Sequence, residues 1–132
     1  MATIITGRDV SFTINGANYD AQATSAVLTK VVDRQAYETL DGTVYKTINR
    51  TATFDIELLS DWGAASSLCE ALWGEADNYV DSIMTVVLTS VTGTTFTFEI
   101  FPEYPIVGGT APDAQTTTFS FTVKQGSVTE AF

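Results

Sequence analysis

The chain has 132 residues, 45% of them apolar, with eight Phe, five Tyr and two Trp: enough bulk for one core and too little length for two. Sixteen acids against six Lys and Arg leave a formal charge of −10, the wrong sign for a surface that grips a phosphate backbone. There is no His, which removes every His-based triad and the commonest metal ligand, and the one Cys has no partner for an internal disulfide.

The N-terminal Met-Ala-Thr-Ile-Ile-Thr-Gly-Arg lacks the basic flank and apolar run of a secretory signal, and no apolar stretch approaches the ~18 residues of a membrane span. The expectation is a single soluble domain, 1–132, made in the cytoplasm. Val10, Phe12 and Ile14 alternate with Ser11 and Thr13, and Asn15-Gly16 then offers a two-residue hairpin turn. From Tyr19 to Val32 the pattern is long and mixed, which predicts a strand with a bulge or bend. Residues 36–48 hold a second turn dipeptide, Asp41-Gly42, with little apolar alternation around it, and predict an exposed β-arm or long loop. Ala52, Phe54, Ile56 and Leu58 alternate with Thr53, Asp55 and Glu57, the cleanest half-buried strand in the chain.

One segment has a helical period. Trp62, Ala65, Leu68, Cys69, Leu72 and Trp73 recur at three- and four-residue steps, so residues 61–73 predict a helix with this stripe against the sheet. Ser60 and Asp61 are its N-cap candidates and Gly74 its stop. An acidic connector from Glu75 to Asp81 follows. Met84–Leu88 and then Phe96, Phe98 and Ile100 predict a hairpin, residues 102–112 an irregular stretch, and Phe119, Phe121 and Val123 a last strand. The total is about seven strands and one helix, a mainly β sandwich or barrel.

Candidate chemistry is thin. Asp55 and Glu57 lie on one strand face with Cα atoms about 6.5–7 Å apart, a glycosidase-like separation, but their Thr neighbours mark a solvated face that leaves neither acid desolvated. Glu75, Asp77, Asn78 and Asp81 have the oxygens for Ca²⁺ without the EF-hand spacing or its Gly. Gly108-Gly109-Thr110 lacks the spacing of a dinucleotide fingerprint and the Lys of a phosphate loop. Cys69, on the apolar stripe with no cation or His beside it in sequence, reads as a buried, inert thiol. No catalytic residue, cofactor or metal is expected.

Four segments carry a resemblance: Thr6-Gly7-Arg8-Asp9-Val10-Ser11-Phe12, Glu38-Thr39-Leu40-Asp41-Gly42-Thr43-Val44-Tyr45-Lys46, Asp61-Trp62-Gly63 through Leu72-Trp73, and Val107-Gly108-Gly109-Thr110-Ala111-Pro112. In this order they resemble the major tail tube proteins of long-tailed (siphovirus-type) bacteriophages, most closely those of phages infecting actinobacteria. The resemblance implies a β-sandwich or barrel with one flanking helix, hexameric rings stacked into a tube, and passage of the DNA genome without specific binding. It also implies a virion location after assembly in the host cytoplasm, with tape measure, tail terminator and distal tail proteins as partners. Some relatives carry an added immunoglobulin-like domain, which a chain ending at Phe132 is not expected to hold. By this resemblance the arm reaches the neighbouring ring, with Leu40, Val44 and Tyr45 as anchors and Glu38, Asp41 and Lys46 fixing the register. Asp55, Glu57 and Glu99, on the polar faces of the best-patterned strands, become candidates for an acidic bore that repels DNA. Two other classes stay open: a monomeric β-sandwich adhesion or carbohydrate-binding module, marked by exposed aromatics on a sheet face, and a small acid-pair hydrolase, marked by loss of activity in Glu57→Gln.

Overall fold

The computed structural model describes residues 4–19, 22–63, 67–77 and 83–132, and within them the period-2 alternation becomes two antiparallel sheets. The first hairpin is β1 (Ser11–Ile14) and β2 (Ala17–Asn18), turned through Asn15 at φ 51° and Gly16 at φ 84°. Positive φ at both central residues matches the right-handed twist of the flanking strands, which is why Asn-Gly turns here. Next come β3 (Ala23–Thr39) and β4 (Gly42–Leu59), much longer than the rest. After the helix α1 (Leu68–Ala76) follow β5 (Met84–Val91), β6 (Thr94–Ile100), β7 (Thr116–Thr122) and the short β8 (Thr129–Ala131). One sheet has the order β2-β1-β5-β6-β8 and the other β3-β4-β7. The fold is thus mainly β with a single α-helix among the described residues, as the alternation predicts, beside one 3-10 turn at Gly7–Asp9; the short β2 and β8 are the strands that the alternation misses.

The inward faces of the two sheets meet in one core of Phe, Ile, Leu, Val and Met side chains. Phe54 sits at its centre, edge-on to Phe98 at 5.0 Å and Phe12 at 6.0 Å and stacked with Phe121 at 6.3 Å. Each such ring contributes about 1.5–3 kcal/mol through burial alone. The sheets are laced along one margin: Ile100 bridges Val123, the Phe101 N–H donates to the Thr122 carbonyl, and the Lys124 N–H donates to that of Glu99. A bulge predicted between Tyr19 and Val32 is present where the β3–β4 register shifts between Ala23 and Ser25, and a second shift lies between Asp33 and Arg34.

The helix departs from its predicted bounds. It begins after Ser67, whose hydroxyl accepts from the Glu70 N–H, and runs through Gly74 to Ala76. Asp61 acts from outside as a distant cap: its carboxylate accepts from the N–H groups of Leu68 (2.7 Å) and Cys69 (3.1 Å) and from the Ser67 hydroxyl (2.9 Å). A helix N-terminus leaves its first amides unsatisfied, and a buried carboxylate answers two of them at the positive end of the dipole. Gly74 has open space around it and no tertiary reason to end the helix. Ala65, Asn78 and Asp81 lie outside the described residues. No helix among the described residues is long and apolar enough to cross a membrane.

Candidate functional site

The β3–β4 hairpin outgrows the sandwich. Its root pairs Ala26 with Ile56 and Leu28 with Phe54 over the core, and the ladder then continues through Val31↔Thr51, Ala36↔Tyr45 and Tyr37↔Val44 to Thr39↔Gly42. Every residue from Thr29 to Lys46 is exposed, on both faces. A two-stranded ribbon without a covered face is marginal in water, so local pairing must hold it. Cross-strand contacts between β-branched and aromatic side chains, Tyr37 with Val44 among them, supply part of that. The tip is shifted by one residue from the predicted Asp41-Gly42 turn: Leu40 and Asp41 form the loop and Gly42, at φ 127°, takes a backbone conformation that residues with a side chain rarely adopt. The Thr39 hydroxyl accepts from the Asp41 N–H and donates to the Gly42 carbonyl, tying the tip.

All six arm residues singled out in the sequence lie on this ribbon, but they do not form one surface. Leu40 stands alone at the tip with its side chain wholly exposed. By strand alternation Glu38 and Tyr45 face one side, and Val44 and Lys46 the other. Sequence reasoning missed the arm's true length, and with it Val31, Tyr37 and Ile48, each close to half exposed. The signal was present in the long mixed pattern from 19 to 32, whose far end pairs with residues past 48.

Of the three bore candidates, Asp55 and Glu57 share the outer face of the three-stranded sheet, beside Ser120 and Thr118. Glu99 is on the outer face of the other sheet, opposite Thr85, and pairs with Lys124 at 3.6 Å. The two outer faces point away from each other across the core, so the three acids cannot line one surface; period-2 alternation says which residues are polar and not which sheet they belong to.

On the helix, Leu68, Cys69 and Leu72 are fully buried, whereas Trp73 is 41% exposed and leaves the predicted core stripe. It packs edge-on against Tyr104 at 4.8 Å and Trp62 at 6.2 Å, and the Tyr104 hydroxyl donates to Asp77 at 2.6 Å. Trp62 precedes the helix in a turn and is half-buried. Burial pushes the Asp61 carboxyl up, but the Leu68 and Cys69 amides and the Ser67 hydroxyl outweigh it and hold the group below its ordinary value. Burial, with Asp61 adding to it, pushes the Cys69 thiol up, away from the thiolate a nucleophile needs.

Basic residues cluster at the arm's root. Four of the six Lys and Arg lie on the arm, Lys30, Arg34, Lys46 and Arg50, among only three acids, Asp33, Glu38 and Asp41. Lys30 and Arg50 join Lys124 around a groove of about 610 Å³ between the root and the turn after β7. The Gln125 amide donates to the Asn49 side-chain oxygen at 2.6 Å and closes that turn against the arm. Comparison with known protein families and with curated proteins finds no match to this chain.

Proposed function

We propose that this chain is the repeating subunit of a phage tail tube of the long-tailed type: hexameric rings stack into a conduit for the DNA genome, with tape measure, tail terminator and distal tail proteins as partners in the virion. The observation that carries the reading is the arm. A ribbon whose every residue from Thr29 to Lys46 is exposed, yet which bears Val31, Tyr37, Leu40, Val44, Tyr45 and Ile48, is built to be covered by other copies. The resemblance in sequence order and the mainly β sandwich with one helix agree with it. Asp55 and Glu57, sharing a face with Ser120 and Thr118, supply an acidic surface past which a duplex slides without sticking. Negative-stain microscopy of concentrated protein should give rings and tubes with a hollow centre; featureless monomers at every concentration would overturn the proposal.

A second reading rests on Trp73 and Tyr104, an exposed aromatic corner of the kind sugars stack against. It makes the chain a carbohydrate-binding module, and a tryptophan fluorescence titration with oligosaccharides tests it. Saturable quenching lost in Trp73→Ala supports that reading over the tube.

A further inference from the structure

The sandwich is laced along the β6–β7 margin and open along β3. In that opening lies an apolar cleft of about 370 Å³, floored by Ala26, Leu28, Leu88, Phe96 and Val128. Lys30 and Val128 also line the basic groove, so cleft and groove adjoin at these two residues and make up a two-part trough, with the apolar floor on one side and Lys30, Arg50 and Lys124 on the other. Neither Lys30 nor Arg50 makes an ion pair with a described residue, and Lys124 has only the 3.6 Å contact to Glu99. Three cations around a concave surface, two of them without an ion pair among the described residues, in a chain of net charge −10, mark a place for an acidic partner.

The same chain carries the complementary shape. At the arm tip a wholly exposed Leu40 is flanked by Asp41 and Glu38, an apolar plug between two acids. The tip cannot reach its own trough: Lys30 and Leu40 are ten residues apart along an extended strand, roughly 33 Å at ~3.3 Å per residue, and folding back would break the whole ladder from Val31 to Thr39. We propose that the arm tip of one copy docks in the trough at the arm root of the next, with Leu40 over Leu88 and Phe96 and the acids Glu38 and Asp41 against Lys30 and Arg50. The proposal rests on the assembly reading above and names the surface that receives the arm. Plug and socket are different patches, so a copy whose tip is docked in the next still presents its own empty socket to a further tip: the contact is head-to-tail and propagates, rather than closing on itself as a two-fold dimer does. Glu130 also lines the cleft, at the end away from Arg50 and Lys124, which favours seating the acids at the basic end.

Disulfide trapping in the full chain tests it. Leu40→Cys combined with Ser90→Cys, or with Val128→Cys, should give a ladder of linked copies under mild oxidation; Cys69 is buried and stays in place. Leu40→Cys alone should give no ladder. Adding Glu38→Lys and Asp41→Lys to one chain, or Lys30→Glu and Arg50→Glu to another, should reduce linking by about tenfold or more, the scale of close charge pairs across an interface, and mixing the two reversed chains should restore it. Tubes in the microscope without a ladder from either Cys pair would overturn this inference and leave the assembly reading standing. Absence of both tubes and ladder would overturn the two together, and a ladder that stops at two copies would overturn the head-to-tail geometry.

Discussion

Asp61 is the residue on which the helix depends. Three donors converge on a carboxylate only 8% exposed, and its pKa is held below the ordinary 3.8 despite the burial that opposes this. A lowered carboxyl pKa contributes stability that is present above the unfolded value and lost as pH falls through the folded one. Asp61→Asn should therefore cost about 1–3 kcal/mol at neutral pH, with the gap to the wild-type chain closing as the pH drops below about 4. Urea unfolding at several pH values measures both, and a gap that widens in acid would contradict the assignment. Leu72, fully buried, gives the companion case: Leu72→Asp places an unpaired carboxylate in the core at several kcal/mol and should abolish the cooperative melt.

At the scale of elements, the arm should be separable from the fold. Removing residues 35–46 and joining Arg34 to Thr47, its ladder partner, through Asn-Gly should leave the melting temperature nearly unchanged, because none of the deleted residues enters the core. The same variant should fail to form tubes by negative-stain microscopy. Strands were largely legible in the sequence, since Phe12, Phe54, Phe98 and Phe121 each stand in strict alternation and each proved buried. The helix was legible as to its existence and not its ends, because Asp61 caps it across a turn and no local rule ties a cap to amides seven and eight residues on. The arm's root was legible only in part: the pattern from Tyr19 to Val32 predicts a strand, but an exposed ribbon needs no apolar period, so the continuation of that strand and its pairing with residues past 48 could not be read. Cations as far apart in the chain as Lys30 and Lys124 meet only through sheet topology.

For the molecule as a whole, charge is unevenly divided: the arm holds four cations and three acids, and all the remaining acids lie outside it, against two cations, Arg8 and Lys124. In the proposed assembly the arm's nearly balanced charge meets a neighbour's acidic body with little repulsion while the bodies repel one another, so assembly should respond to salt. Raising ionic strength weakens that self-repulsion and the proposed contacts of Glu38 and Asp41 with Lys30 and Arg50 together, and both effects fade beyond the ~10 Å Debye length at 0.1 M. On the acidic face, Asp55→Lys with Glu57→Lys should turn a repelling surface into one that holds duplex DNA, seen as salt-sensitive retention of DNA by assembled protein. Equal retention by wild-type and variant tubes would overturn the proposed place of Asp55 and Glu57 in a bore.

The hairpin's connection to the body also decides how the molecule bears force. β4 is the central strand of its sheet, flanked by β3 and β7, and runs unbroken from the arm tip to Phe54, Ile56 and Leu58. A pull on a captured tip along the strand axis loads the β4–β7 ladder in shear, with its seven paired positions resisting at once instead of peeling open one by one. Tension entering at Leu40 is thereby delivered to the Phe core, and a filament joined this way would bend and stretch without its subunits unravelling.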